Sequence, residues 1–235
     1  MNNRPRQLLL VGAGGLAREA AEAIRAANAV SPTWDLLGYV DDDPAKQGSV
    51  ISGVPVLGPV EIVHDHPGAL VLVCPGRPDN YVARLLLVER LDLDDERYAT
   101  VIHPTATLGT TCEVGPGSVL LAHVDLTTDV VVARHVVVMP QVVLTHDVRV
   151  EDFATIASGV RLGGACHVGR GAYLGSGACL REGIAVGEWA LVGMGSVVTR
   201  DVPAKRLWYG VPARDISGAD LPTGVAEEVL AHATR

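Results

Sequence analysis

From Ile102 to Val198 an aliphatic residue occupies every sixth position, opening with Ile102, Leu108 and Val114 and closing with Val186, Val192 and Val198. The phase does not slip across seventeen hexads. Four positions after each stands a second small or branched residue, among them Ala106, Cys112, Ser118, Val136, Cys166 and Val202. Six is not a multiple of 3.6, so a helix would scatter these positions around its surface. A conventional sheet, with period-two strands of unequal length, would lose the phase. The two columns therefore predict a repeating β architecture in which both point inward. Gly109, Gly115, Gly163, Gly169, Gly175, Gly187 and Gly193 each follow the first column directly. They predict tight corners at which glycine's freedom of backbone angle is used.

This hexapeptide pattern resembles the left-handed parallel β-helix, in which three hexads make one triangular coil and coils stack into a prism. Seventeen hexads then give nearly six coils. The left hand comes from that resemblance, since the usual crossover rule favours the right. With no insertion in the repeat, residue n is expected beneath residue n+18.

The first hundred residues follow another pattern. Leu8 to Val11 reads as a strand, GAGGLARE as a glycine turn, and the Ala-rich stretch through Ala27 as a helix. A second strand, Leu36 to Val40, ends in Asp41-Asp42-Asp43-Pro44, and a third, Leu70 to Val73, ends in Cys74-Pro75-Gly76-Arg77. This predicts an α/β Rossmann-like unit whose strand ends face one crevice. Gly12, Gly14 and Gly15 there let backbone N–H groups and a helix N-terminus approach a phosphate. An acid after the second strand stands where such folds meet a ribose or base. The unit is too short for two mononucleotide halves, and Arg18 replaces the last glycine of GxGxxG, which disfavours NAD. The expected division is a nucleotide-binding domain over 1–98, a β-helix over 99–203, and a tail over 204–235. An amphipathic stretch in that tail, Val225 to Ala233, would cap the last coil.

Composition narrows the partners. The chain has 235 residues, 48% of them hydrophobic, with 19 Lys and Arg against 27 Asp and Glu for a net charge of −8. Dispersed basic residues in an acidic chain argue against nucleic acid. No apolar run approaches the roughly 20 residues of a membrane helix, and the opening MNNRPRQ does not read as a signal peptide, so a cytoplasmic protein is expected. Cys74, Cys112, Cys166 and Cys179 have neither metal-ligand nor disulfide-framework spacing. His123, His135 and His146, spaced by 12 and 11, do not reproduce the three-histidine metal centre known on this kind of β-helix, and no metal is expected.

His146 stands third in the hexad LTHDVR, directly before Asp147. An imidazole beside a carboxylate is the pairing a general base needs near neutral pH. Gly164 lies one coil on by the n+18 rule, and its bare backbone N–H is a candidate oxyanion donor. A solvated surface histidine is the other reading the residues allow.

Several segments together resemble the NeuD/PglD-type sugar acyltransferases: GAGGLARE, GYVDDDP, IHPTATLG, THDVRVEDFATIASG and DVPAKRLWYGVPAR. The likeness covers about residues 7 to 216. It implies acetyl-CoA as co-substrate, a nucleotide sugar as acceptor and a homotrimer with active sites between subunits. In catalysis it implies His146 as base, supported by Asp147. It further implies Gly14, Gly15, Asp41 and Asp42 on the nucleotide sugar, and Thr155, Gly164, Ser176 and Met194 along the acyl-CoA arm. Exposed Val131, Val137 and Val143 are expected to favour packing between subunits. Relatives that acetylate UDP-amino sugars tend to carry Glu where this chain has Asp147, and a second His at the place of Thr155. Leu16 stands where a polar residue is common. Transfer to an amine is the leading expectation. Transfer to a hydroxyl of sialic acid or another sugar, and a non-catalytic nucleotide-sugar-binding scaffold, are the alternatives.

Overall fold

The structure, a computed structural model, describes residues 4–216. Its N-terminal unit is a three-stranded parallel sheet of β1 (Arg6–Val11), β2 (Trp34–Val40) and β5 (Leu70–Val73), in the order β2-β1-β5. The central strand is buried on both faces, which is why Leu8 to Val11 is a continuous aliphatic run and not an alternating one. A helix, α1 (Gly15–Val30), links β1 to β2. A short hairpin, β3 (Val50–Ile51) with β4 (Val54–Pro55), and a 3-10 turn lead from there to β5 on the other side of β1. The chain thus reverses direction at the end of β1, the switch point at which open α/β sheets form a ligand crevice. A second helix, α2 (Ala83–Leu91), follows.

Seventeen two-residue strands, β6 (Val101–Ile102) to β22 (Val197–Val198), then build a triangular prism with three parallel sheets as faces. Val101 pairs with Val119, Thr107 with Asp125 and Glu113 with Val131, so the register of eighteen holds on every face. Both aliphatic columns form one interior core, from Leu120 and Val124 to Val198 and Val202. The seven corner glycines have a different cause from the one expected. None of them has a positive φ; that conformation falls two residues later, at positions such as Gly117, His135, Asp147, Gly171 and Trp189. What excludes a side chain is the adjacent coil: a Cβ on Gly163 would lie 2.6 Å from the Glu182 nitrogen, and one on Gly175 2.5 Å from that of Met194. Residues 204–216, grouped with the tail from sequence, continue the first face instead. There β23 (Leu207–Gly210) pairs with the strand at Leu191 and folds back on β24 (Ala213–Asp215), and Trp208 packs on the end of the core. The amphipathic stretch from Val225 lies outside the described residues.

The first face, whose outward residues include Val101, Val119, Val137, Thr155 and Tyr173, is covered by the N-terminal unit of the same chain. Val137 is therefore buried within the chain, contrary to the expectation of an exposed valine, whereas Val131 and Val143 are half-buried on the other two faces. Each valine sealed this way contributes about 1.5–3 kcal/mol. The alanines of α1, from Ala17 to Ala23, allow its close approach to this surface. Tyr81 donates to the Trp189 carbonyl at 3.1 Å, and Arg134, paired within the prism with Asp152 at 2.7 Å, reaches Asp95 at 3.1 Å across the same seam.

His135 also lies in the seam, 2% exposed, stacked on Phe153 at 5.0 Å and meeting Tyr98 edge-on at 4.5 Å. Its Nδ1 has no hydrogen-bond partner among the described residues. Burial, then the nearby Arg84 and Arg134 cations, hold its pKa down to about 4, whereas an unfolded chain titrates near 6.5. Below pH 6.5 the unfolded state takes up the proton first, so this contribution is complete above 6.5 and is lost as pH falls toward 4. The loss amounts to roughly 3 kcal/mol. In chemical denaturation across that window, His135→Phe is expected to flatten the decline seen in the wild type; an unchanged slope would refute the assignment.

Candidate active site

The crevice at the end of β1 is a cleft of about 450 Å³, lined by Gly12, Gly14, Gly15, Asp41, Lys46, Pro75, Gly76 and Arg77, with Met139 and Tyr173 of the prism at its far wall. Gly12 has φ +91° and is glycine for conformational reasons. Gly14 and Gly15 are not: a Cβ on either would meet nothing within 4 Å. Their bareness leaves open space in front of the first N–H groups of α1, where an anion is favoured. Asp41 closes the turn, its carboxylate accepting from Ala13 N at 2.7 Å, Asp43 N at 3.0 Å and Lys46 Nζ at 3.0 Å. Burial acts to raise its pKa, but the two backbone donors and the lysine outweigh it and hold the group below the usual carboxylate range. Asp42 is not brought to the cleft. It turns outward to Arg90 at 2.6 Å and accepts from Val60 N at 3.2 Å, and the arginine hydrogen bond keeps it ionised to lower pH than usual. Tandem acids on a strand end point to opposite sides, so only one of them can serve the crevice.

His146 occupies the prism edge between the second and third faces, after the strand at Val143–Leu144. Asp147 takes a left-handed φ of +61°, which Asp tolerates better than most residues, and its Oδ2 meets His146 Nδ1 at 2.8 Å. An ionised carboxylate accepts, so Nδ1 carries the proton and the Nε2 lone pair is left bare. The ring lies over Gly164, whose Cβ, if it had one, would overlap Cε1 and Nε2. Gly164 N–H has no acceptor among the described residues. Both expected neighbours of His146 are thus beside it.

The cleft and this edge do not meet within one chain. The N-terminal unit covers the first face, and the His146 edge is the one opposite it. A hexad spans at most about 20 Å, which puts the edge on the order of 15 Å from that face. The levels do agree: counting the coil of Val101 as the first, Met139 and Tyr173 stand on the third and fifth, His146 and Gly164 on the third and fourth.

The four residues expected along an acyl-CoA arm are dispersed. Thr155 is fully buried under the N-terminal unit, its Oγ1 accepting from Arg84 at 2.9 Å, so it is corrected from a ligand contact to part of the domain seam. Gly164 lies beneath His146, while Ser176 and Met194 share the edge between the first and second faces and are exposed. Tyr209, 50% exposed and seated over Gly193, extends that surface. Burial raises the Cys74 thiol to about 12, so this cleft-lining cysteine is no thiolate nucleophile. Among the described residues no three His, Cys, Asp or Glu side chains gather as metal ligands, and no helix is long and apolar enough to cross a membrane. Sequence reasoning missed Lys46, Met139, Tyr173 and Arg84. For Arg84 a signal existed: it shares a helical stripe with the buried Tyr81, Leu85 and Leu91.

Residues 7–71 match the PglD N-terminal domain. No curated protein sequence matches the chain. Among solved structures, the acetyltransferase domain of PglB from Neisseria gonorrhoeae, in complex with acetyl coenzyme A, is 28% identical with a TM-score of 0.77, over 90% of this chain and 100% of that one. PerB from Caulobacter crescentus, in complex with CoA and GDP-perosamine, is 27% identical with a TM-score of 0.78, over 89% and 96%. WeeI from Acinetobacter baumannii shares the fold, with a TM-score of 0.62 at 23% identity over 90% and 100%. A PglD N-terminal domain followed by a left-handed parallel β-helix makes this chain similar, over nine-tenths of its length, to sugar acetyltransferases of the NeuD/PglD type.

Proposed function

We propose that this protein is an acetyl-CoA-dependent sugar acyltransferase that acetylates the amine of a nucleotide-linked amino sugar by direct transfer. The observation that carries the reading is the His146 imidazole, fixed by Asp147 through Nδ1 and seated over Gly164. The amine nitrogen attacks the thioester carbonyl carbon while Nε2 takes its proton. The oxyanion of the tetrahedral intermediate is held by the Gly164 N–H. Collapse breaks the carbon–sulfur bond, and the imidazolium returns the proton to the departing CoA thiolate.

A base on the edge opposite the cleft must serve the cleft of another copy. Matching coil levels favour a ring in which prism axes run parallel, and a homotrimer closes such a ring with one repeated heterologous contact. Gly14, Gly15 and Asp41 hold the nucleotide end, with Lys46 and Arg77 at the diphosphate, and the sugar extends toward Met139 and Tyr173. Ser176, Met194 and Tyr209 flank the acyl-CoA.

Thiol release from acetyl-CoA, measured against a panel of UDP- and GDP-linked amino sugars and free sialic acid, tests the reading. Turnover with an amino sugar is expected in the wild type, with a loss of about 10²–10⁴-fold in His146→Ala. A His146→Ala rate near wild type would sink the assignment of the base. Gly164→Ala is expected to push the imidazole aside and lower kcat about 10²-fold, with the melting temperature little changed. A Gly164→Ala enzyme with full activity would show that the seat under the ring does not matter.

A further inference from the structure

Arg84, on α2, is fully buried, yet among the described residues no carboxylate meets its guanidinium. Its hydrogen bonds go to neutral oxygens instead. Nε donates to the His135 carbonyl at 2.7 Å, Nη1 to the Pro75 carbonyl at 2.8 Å, and Nη2 to the carbonyls of Phe153 at 2.6 Å and Ala154 at 3.1 Å. Nη2 also donates to Thr155 Oγ1 at 2.9 Å. Four of these acceptors belong to the prism, and Pro75 opens the segment 75–83 that forms one wall of the cleft. Burial lowers the Arg84 pKa to about 10, which still leaves a cation at neutral pH.

A planar fork with fixed donor directions demands that the carbonyls of both domains keep their relative places, a demand an ammonium or an apolar chain does not make. Of the gripped residues, Thr155 stands on the fourth coil, between the coils of Met139 and Tyr173, the two prism side chains at the cleft. Gly76 shows how tight the wall is, since a Cβ there would come 3.4 Å from Nη1. We propose that Arg84 is a positioning residue for the transfer reaction, setting the height of the cleft against the prism so that the bound acceptor amine arrives at the level of His146. This rests on the transferase reading above.

Arg84→Met, Arg84→Lys and Thr155→Val would be compared with the wild type by steady-state kinetics and by hydrogen exchange followed by mass spectrometry. In folded Arg84→Met, kcat is expected to fall about 30-fold or more while the KM for acetyl-CoA stays within about twofold. Arg84→Lys, which keeps the charge without the fork, is expected to recover only part of kcat, and Thr155→Val to lose a few-fold with the same KM pattern. A kcat for Arg84→Met close to wild type, or full recovery by lysine, would overturn the proposal. Exchange needs no turnover: faster exchange confined to 75–83 and 153–155 is expected, whereas unchanged exchange there, or a rise throughout the chain, would overturn it. Lack of turnover in the wild type itself would count against the transferase reading, and the exchange result would then decide Arg84 alone.

Discussion

Every position on the prism sits against the residue eighteen places along the chain, and most of what is special about the molecule follows from that contact. At six of the seven corner glycines the coils stack so closely that a Cβ would collide with the backbone of the next coil, and glycine stands there for that reason. The same spacing lets one bare residue serve as a seat for a ring, as Gly164 does for His146, Gly171 for Trp189 and Gly117 for His135. The proposed base and the buried rings of the seam use one device, a large planar side chain lying on a missing one.

The prism and its register were legible because the repeat contains no insertion, so simple addition located Gly164 next to His146. The Rossmann-like unit was legible from aliphatic runs ending in glycine or acid. Other features were hidden for physical reasons. Asp41 and Asp42 are indistinguishable as letters, and only the pleat of the strand sends one to the cleft and the other to Arg90. Thr155 was misplaced because its hexad reads the same whether its face meets solvent or a domain. Which face the N-terminal unit covers is a tertiary fact, and the hexad pattern is alike on all three. Corner glycines were recognised but for the wrong cause, since a sequence shows that a residue is small without showing what it avoids.

Covering the first face has a cost and a return. Buried polar groups such as the Arg84 guanidinium and the orphaned His135 Nδ1 are retained in the seam, where an all-apolar contact would be simpler. In exchange, the seam has one satisfied arrangement, because a fork of hydrogen bonds tolerates sliding far less than valine on valine does. The cleft is built partly from each domain, so its shape inherits that definition.

The uniform spacing also bears on how the chain is ordered. Parallel sheets are ordinarily the product of distant pairings, as in the N-terminal unit, where Leu8 lies beside Leu70. In the prism, pairs such as Val137 with Thr155 close a loop of eighteen residues, an entropy cost of about 2.5 kcal/mol beyond a constant term. Each coil presents its unpaired edge as the template for the next, so the longest-range architecture in the molecule is assembled from closures no longer than a hairpin of two short helices. Topologically parallel, the prism is entropically local.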